Sequence, residues 1–139
     1  MIDSKADIKS VIILGSYNER EECEELKNKI KIDTVVNYAG NATITQIYAI
    51  LRNCRMFIGN DSGLMHLAVA SELRVISLFG PTNDVVYGPD SDKNIVIRTK
   101  ENYDYFKSLK INENKSYMKS IKPEIVVKNY EKIINDNFN

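Results

Sequence analysis

The sequence predicts an α/β protein built on a parallel sheet, and three observations carry that reading. Short apolar, β-branched runs alternate with stretches whose apolar residues recur at helical spacing. The runs Val11-Ile12-Ile13-Leu14 and Met56-Phe57-Ile58 are continuously apolar, as strands buried on both faces are. The six glycines, Gly15, Gly40, Gly59, Gly63, Gly80 and Gly88, all fall at or just after the C-terminal end of an expected strand. None falls where a helix returns to the sheet, and ligands of open parallel sheets bind outside the carboxyl ends of the strands.

In chain order, Val11–Leu14 is the first strand, ended by Gly15. Asn18 is the expected cap of the first helix, with Glu21 at its third position. Five glutamates between Glu19 and Glu25 crowd its start, while Lys27, Lys29 and Lys31 close it, matching the helix dipole. Cys23, Leu26 and Ile30 form its expected inner stripe. Thr34–Asn37 is a short second strand. Thr43-Ile44-Thr45-Gln46 is a capping box opening a helix with Ile44, Ile47, Tyr48 and Leu51 inward. Met56–Ile58 and Arg74–Phe79 are the third and fourth strands, the latter stopped by Gly80-Pro81-Thr82. Asn83–Lys93 reads as a loop with a turn at Tyr87-Gly88-Pro89-Asp90, and Asn94–Arg98 as a fifth strand. Residues 99–122 are polar and ambiguous, with Tyr103, Phe106 and Leu109 on one side of a short helix. Pro123 stands at a first helical position, and Ile125, Val126, Tyr130, Ile133 and Ile134 stripe a last helix.

The third strand leads into the most informative stretch, Gly59-Asn60-Asp61-Ser62-Gly63-Leu64-Met65-His66-Leu67-Ala68-Val69-Ala70. Its first five residues are turn and N-cap types, so Asp61 or Ser62 caps a helix that is apolar on nearly every face and expected to be buried. A helix start leaves amides unpaired and carries roughly half a positive charge, which suits an anion. Gly63 lets a phosphate oxygen approach the backbone. Asp61 would repel a phosphate and is better placed to accept from sugar hydroxyls. His66, the only histidine, sits about one turn in, able to donate to a phosphate or order the turn. The plain alternatives stand beside this: Asp-Ser-Gly also caps helices that bind nothing, and a lone histidine on a buried helix is commonly a satisfied core residue.

Composition bounds the rest. At 139 residues the chain is read as one domain, 1–139, with Lys+Arg and Asp+Glu both 19 and so no overall field for nucleic acid or acidic membrane. Residues 93–132 hold ten Lys/Arg against five Asp/Glu, read as a solvated basic face. Cys23 and Cys54 form no C-x-x-C pair, which suits free thiols in a reducing, cytoplasmic setting. No apolar run approaches the roughly 18 residues of a membrane span, and Met1–Asp7 does not read as a signal peptide. Neither G-x-G-x-x-G nor the P-loop pattern occurs.

Three segments together, Phe57–Ala68, Val75-Ile76-Ser77-Leu78-Phe79-Gly80-Pro81-Thr82 and Tyr87-Gly88-Pro89, resemble glycosyltransferase family 9, the heptosyltransferases of lipopolysaccharide core synthesis and their relatives. The D-[ST]-G-x-x-H-L motif followed by [FY]-G-P-T is specific beyond a generic α/β pattern, and the similarity covers about residues 10–98. The resemblance implies the C-terminal, Rossmann-like half of a GT-B fold, which holds a nucleotide-sugar donor, ADP-heptose in the best-known members, for inverting transfer without a metal or other cofactor. It implies a donor-binding set of Gly15, Glu19, Thr43, Asp61, Ser62, Gly63, His66, Gly80, Pro81 and Thr82. Glu19 would face the ribose, Thr43 line the base pocket, Asp61 bind sugar hydroxyls, and the Ser62 and Gly63 amides the diphosphate. His66 would support that loop and Thr82 close it near the phosphates.

Only ten residues precede Val11, so the first strand-and-helix unit and its phosphate-contacting basic residue are expected to be missing. The acceptor half with its general base is expected to be missing too, so no catalytic residue is named, and self-association through uncovered apolar surface is expected. A saccharide or lipid-linked acceptor would be met through that other half. Two other readings remain: a non-catalytic nucleotide-sugar-binding module, and an unrelated small α/β interaction protein.

Overall fold

A computed structural model describes residues 8–90, 92–112 and 115–135. The N-terminal stretch weighed above as a signal peptide, Met1–Asp7, lies outside them, as does Ser91 of the expected loop. The chain divides into two compact units, Met1–Ile50 and Leu51–Asn139.

In the first unit β1 (Val11–Ile13) pairs in parallel with β2 (Val35–Asn37), Val11 opposite Val35 and Ile13 opposite Asn37. The ladder runs on past both strands, Tyr38 N–H donating to Ile13 and Gly40 N–H to Gly15. Gly40 holds φ +69°, and a Cβ there would stand 2.6 Å from the Tyr17 backbone, so only glycine fits. The crossover is a 3₁₀ turn, Tyr17–Glu19, running into α1 (Arg20–Lys29). The cap is Ser16, not Asn18: the Glu19 carboxylate accepts from Ser16 N at 2.8 Å and Ser16 Oγ at 2.6 Å. Asn37 ties β2 to α1, donating to the Arg20 carbonyl and the Glu24 carboxylate. Cys23 and Ile30 are half-buried as expected, but Leu26 is exposed.

The capping box at α2 (Ile44–Leu51) forms as read, Thr43 N–H donating to Gln46 Oε1 and Gln46 N–H to Thr43 Oγ1. Its inner stripe is the buried Leu51 with the half-buried Ile47 and Ile50, whereas Ile44 is 73% exposed and Tyr48 also faces out. Ile44 lies in the first turn, one turn short of that stripe.

In the second unit β3 (Met56–Asn60), β4 (Arg74–Phe79) and β5 (Ile95–Arg98) form a parallel sheet in the order β3-β4-β5. The middle strand carries the core: Val75, Ile76, Ser77 and Phe79 are inaccessible. Ser77 is tolerated there because its hydroxyl donates to the Ile95 carbonyl. α6 (Pro123–Asn135), opened by Pro123, supplies Ile133, which packs with Ile76 and Ile97. Ile125 of the expected stripe is exposed instead.

α3 (Gly63–Ala70), between β3 and β4, buries Met65 and Ala68 but leaves His66 and Ala70 exposed, so it is not buried all round. It ends in a Schellman pattern, Leu73 N–H donating to Ala68 and Glu72 N–H to Val69, with Glu72 at φ 62° where glycine is usual. The stretch after β4 is not all loop: Asn83 caps the one-turn α4 (Asp84–Tyr87), accepting from Val85 and Val86 N–H. The short α5 (Tyr103–Lys107) buries Phe106, with Leu109 exposed.

Candidate functional site

The most strongly indicated residues follow β3. The strand extends to Asn60, and Asp61 N–H still donates to Leu78 of β4 at 3.2 Å. Ser62 is fully extended (φ −158°, ψ 169°), and the chain then enters the helix at Gly63. Ser62, the N-cap, takes Met65 and His66 N–H on its carbonyl, at 3.1 and 3.3 Å. The Gly63 and Leu64 amides have no acceptor among the described residues, as a helix start dictates. A Cβ built on Gly63 meets nothing within 4 Å, so the space before these amides is open. An anion there would gain the amide donors and the helix field together.

Asp61 and His66 flank the turn. Asp61 is mostly enclosed, its side chain 14% exposed, while His66 is 54% exposed. Oδ1 and Nε2 stand 3.6 Å apart, too far for a direct hydrogen bond and close enough for attraction if the imidazole is protonated. His66 is therefore an accessible group at the turn, not the satisfied core histidine that the bland alternative described.

The neighbouring turn follows β4. Gly80 is buried, Pro81 half-buried and Thr82 exposed. Because β3 and β4 are adjacent and parallel, the Asp61–His66 and Gly80–Thr82 turns leave the same edge of the sheet. One residue that patterning did not single out holds the second turn: Arg98, at the end of β5. Its guanidinium donates to the Thr82 and Gly80 carbonyls at 2.8 and 2.9 Å and to Asp84 Oδ1 at 2.6 Å. The only available signal was an arginine closing an otherwise apolar strand.

Gly15, Glu19 and Thr43 lie in the first unit, at the C-terminal ends of β1 and β2. The structure brings Gly15 and Glu19 together: a Cβ on Gly15 would lie 3.4 Å from Glu19 Oε2. The hydrogen bond from the Ser16 side chain, then that from its backbone, hold the Glu19 carboxyl below its ordinary value. The carboxylate is therefore ionised at neutral pH and suited to accept from hydroxyl donors. Thr43 spends its hydroxyl and amide on the Gln46 cap.

A shallow cleft of about 430 Å³ lies elsewhere, lined by Arg52, Cys54, Arg55, Ser71, Glu72, Leu73 and Arg74. It sits where β3 and β4 begin, the edge opposite the two turns. There Arg52 pairs with Glu72, and Arg74 donates to the Ile133 carbonyl. The physics of parallel sheets and the open helix start favour the C-terminal edge over this hollow. Among the described residues no cluster of His, Cys, Asp and Glu is placed to hold a metal, and no helix is long and apolar enough to cross a membrane. Neither Cys23 nor Cys54 is in a disulfide; burial pushes both thiols up, with Glu19 and Glu22 adding to the effect at Cys23.

The family model described as glycosyltransferase family 9 (heptosyltransferase) matches residues 4–117. Lipooligosaccharide heptosyltransferase 2 of Haemophilus influenzae is 34% identical over 92 residues, 64% of this chain and 27% of that protein. Lipopolysaccharide heptosyltransferase 3 of Escherichia coli is 30% identical over 112 residues, 80% of this chain and 32% of that one. A solved family 9 glycosyl transferase from Veillonella parvula superposes with a TM-score of 0.77 at 25% identity, covering 90% of this chain and 36% of its own. The E. coli ADP-heptose lps heptosyltransferase II superposes at 0.73 and 24%, covering 94% and 38%. The chain thus spans about a quarter to a third of the curated relatives it matches, and its parallel sheets and helices follow the GT-B heptosyltransferase pattern. The D-S-G-x-x-H-L and F-G-P-T turns lie within the matched span, and the chain belongs to glycosyltransferase family 9, the heptosyltransferase family.

Proposed function

We propose that this chain is the donor-binding portion of a glycosyltransferase and holds the diphosphate and sugar of a nucleotide sugar at the C-terminal edge of its β3-β4-β5 sheet. The observation that carries the reading is the open start of α3, where the unpaired Gly63 and Leu64 amides adjoin Asp61 and His66. The diphosphate would lie on the Ser62 and Gly63 amides, with Asp61 accepting from hydroxyls of the donor sugar. In the second unit, Gly80, Pro81 and Thr82 would close over the phosphates. In the first unit, taken by itself, Glu19 would accept from hydroxyls of the kind a ribose offers, Thr43 and its neighbours would contact a base, and Gly15 would allow close backbone approach.

The chemistry follows from charge. In an inverting transfer the bond from the sugar's anomeric carbon to the diphosphate breaks as the acceptor oxygen bonds the opposite face. Negative charge then grows on the departing diphosphate. Fixed amide donors and the helix field meet that charge without reorganising. The acceptor hydroxyl must lose its proton to a base; Asp61, committed to the sugar, is a poor choice. The matched stretch covers only about a quarter to a third of each relative, and we assign the base and the saccharide or lipid-linked acceptor to the part of the family's chain outside that stretch. ADP-heptose is the proposed donor, since the E. coli structural neighbour is named for it. Cytoplasmic placement, where nucleotide sugars are made, completes the reading. A binding module without transfer is the less favoured alternative, because the matched family is one of transferases.

Calorimetry with nucleoside diphosphates and their sugars tests this. Asp61→Ala should weaken nucleotide-sugar binding about tenfold and leave the bare nucleotide nearly untouched. Equal losses for both would remove the sugar-reading role from Asp61.

A further inference from the structure

We infer that Arg98 is the positioning residue of this site: it fixes the Gly80–Asp84 loop so that its free face is turned to the donor diphosphate. The inference rests on the donor-binding reading above. Arg98 ends β5 with its side chain only 15% exposed. Every guanidinium nitrogen is used. Nη1 donates to the Thr82 carbonyl at 2.8 Å and Asp84 Oδ1 at 2.6 Å, Nη2 to the Gly80 carbonyl at 2.9 Å, and Nε to the Glu101 carbonyl at 3.1 Å. The group also lies 5.9 Å from the centre of the buried Phe106 ring. Lysine, with one nitrogen and no planar fork, cannot reproduce that set.

Peptide geometry converts this grip into an orientation. The described peptide bonds are all trans, so a carbonyl drawn towards Arg98 turns the following N–H the other way. Thr82 offers its carbonyl, hence the Asn83 N–H points away from the Arg98 guanidinium, and it has no acceptor among the described residues. The sheet order is β3-β4-β5, so the side of the β4 loop facing away from β5 is the side of the Asp61–His66 turn. The loop's back is also pinned. Thr99, next to Arg98, bonds the Tyr117 carbonyl and Ser120, and Met118 stands 3.0 Å from where a Gly80 Cβ would be. Arg98 shares its charge with Asp84 and approaches the loop from behind, so it acts through the backbone rather than by touching the donor.

The test compares the chain with its Arg98→Lys variant by hydrogen exchange and by titration with ADP followed through amide resonances. In the variant, exchange at Tyr87 and Gly88, whose amides bond Asn83 and Asp84, should rise at least tenfold while β4 amides keep their protection. ADP should bind at least tenfold more weakly although Asp61–Gly63 is intact. Unchanged exchange, or unchanged affinity with exchange raised, would overturn the assignment. Should the variant lose cooperative folding, the wild-type chain still decides: the Asn83 amide must shift on adding ADP, and a stationary resonance at saturation overturns the inference. A wild-type chain that binds no nucleotide defeats the donor-binding reading, and the exchange arm alone then decides Arg98's hold on the loop.

Discussion

Replacing Gly63 by alanine should move stability and binding in opposite directions. Gly63 is the first residue of α3, its φ lies outside the left-handed region, and a Cβ there meets no atom within 4 Å. The folded chain therefore accepts alanine without strain, while the unfolded chain loses freedom, a gain of about 0.4–1 kcal/mol. That corresponds to a rise of about 1–4 °C in melting temperature for a chain of this size. The same methyl fills the space through which a phosphate oxygen would reach the amides. Losing a charge-assisted hydrogen bond costs about 1.5–3 kcal/mol, or roughly a ten- to hundredfold loss of affinity. Calorimetry of unfolding and of nucleoside diphosphate binding reads both effects on one sample. A lower melting temperature would show that the local geometry is misjudged, and an affinity within twofold of wild type would show that no ligand occupies that space.

Three further expectations follow from particular residues. Glu72→Gly should stabilise the chain by about 1 kcal/mol in urea unfolding, since it relieves a left-handed backbone at the C-terminal end of α3 and gives up only an exposed ion pair with Arg52; a loss of stability would contradict the Schellman reading. Glu19, whose carboxyl sits below its ordinary 4.5 in the folded chain, contributes stability present above 4.5 and lost as pH falls through the lowered value. A carboxyl NMR titration should show that depression, Ser16→Ala, which removes the hydroxyl and keeps the backbone donor, should shrink it, and a midpoint of 4.5 or more in the parent would refute the cap. Val85 and Val86 are 89% and 65% exposed beside Tyr87 on α4, which makes α4 the expected contact if copies of the chain associate: Val85→Ser with Val86→Ser should then lower the mass seen by light scattering and change stability by less than about 0.5 kcal/mol; a parent chain that stays monomeric, or a mass unchanged in the variant, would refute that.

Much of the fold was legible because local chemistry and tertiary packing agree. β4 runs from Arg74 to Phe79 as read, the Thr43–Gln46 box caps its helix, and Pro123 opens α6. Each signal is complete within four to six residues. Where two local solutions compete, the reading slips. Ser16-Tyr17-Asn18-Glu19 offers both a serine and an asparagine three residues ahead of a glutamate, and the 3₁₀ turn, invisible to a 3.6-residue period, settles it for Ser16. Periodicity also marks apolar stripes without saying what covers them, so Leu26, Ile44 and Tyr48 were read inward and stand exposed.

The site divides along the same line. Asp61, Ser62, Gly63 and His66 are contiguous, so a short window holds their strand, turn and helix start. Arg98 is sixteen residues from Thr82 in sequence, and its partners are mostly backbone carbonyls, which leave no trace in side-chain pattern. Asn83 caps a one-turn helix, which is too short to show a period in the sequence.

The most direct measurement of the central claim is the location of a bound nucleotide sugar on this chain, by amide shift mapping with ADP-heptose at rising concentration. The account predicts that saturable shifts centre on Asp61–His66, extend to Gly80–Asn83, and leave Arg52, Arg55 and Arg74 unmoved. No shift at millimolar donor, or shifts centred on that arginine-lined cleft, would contradict it.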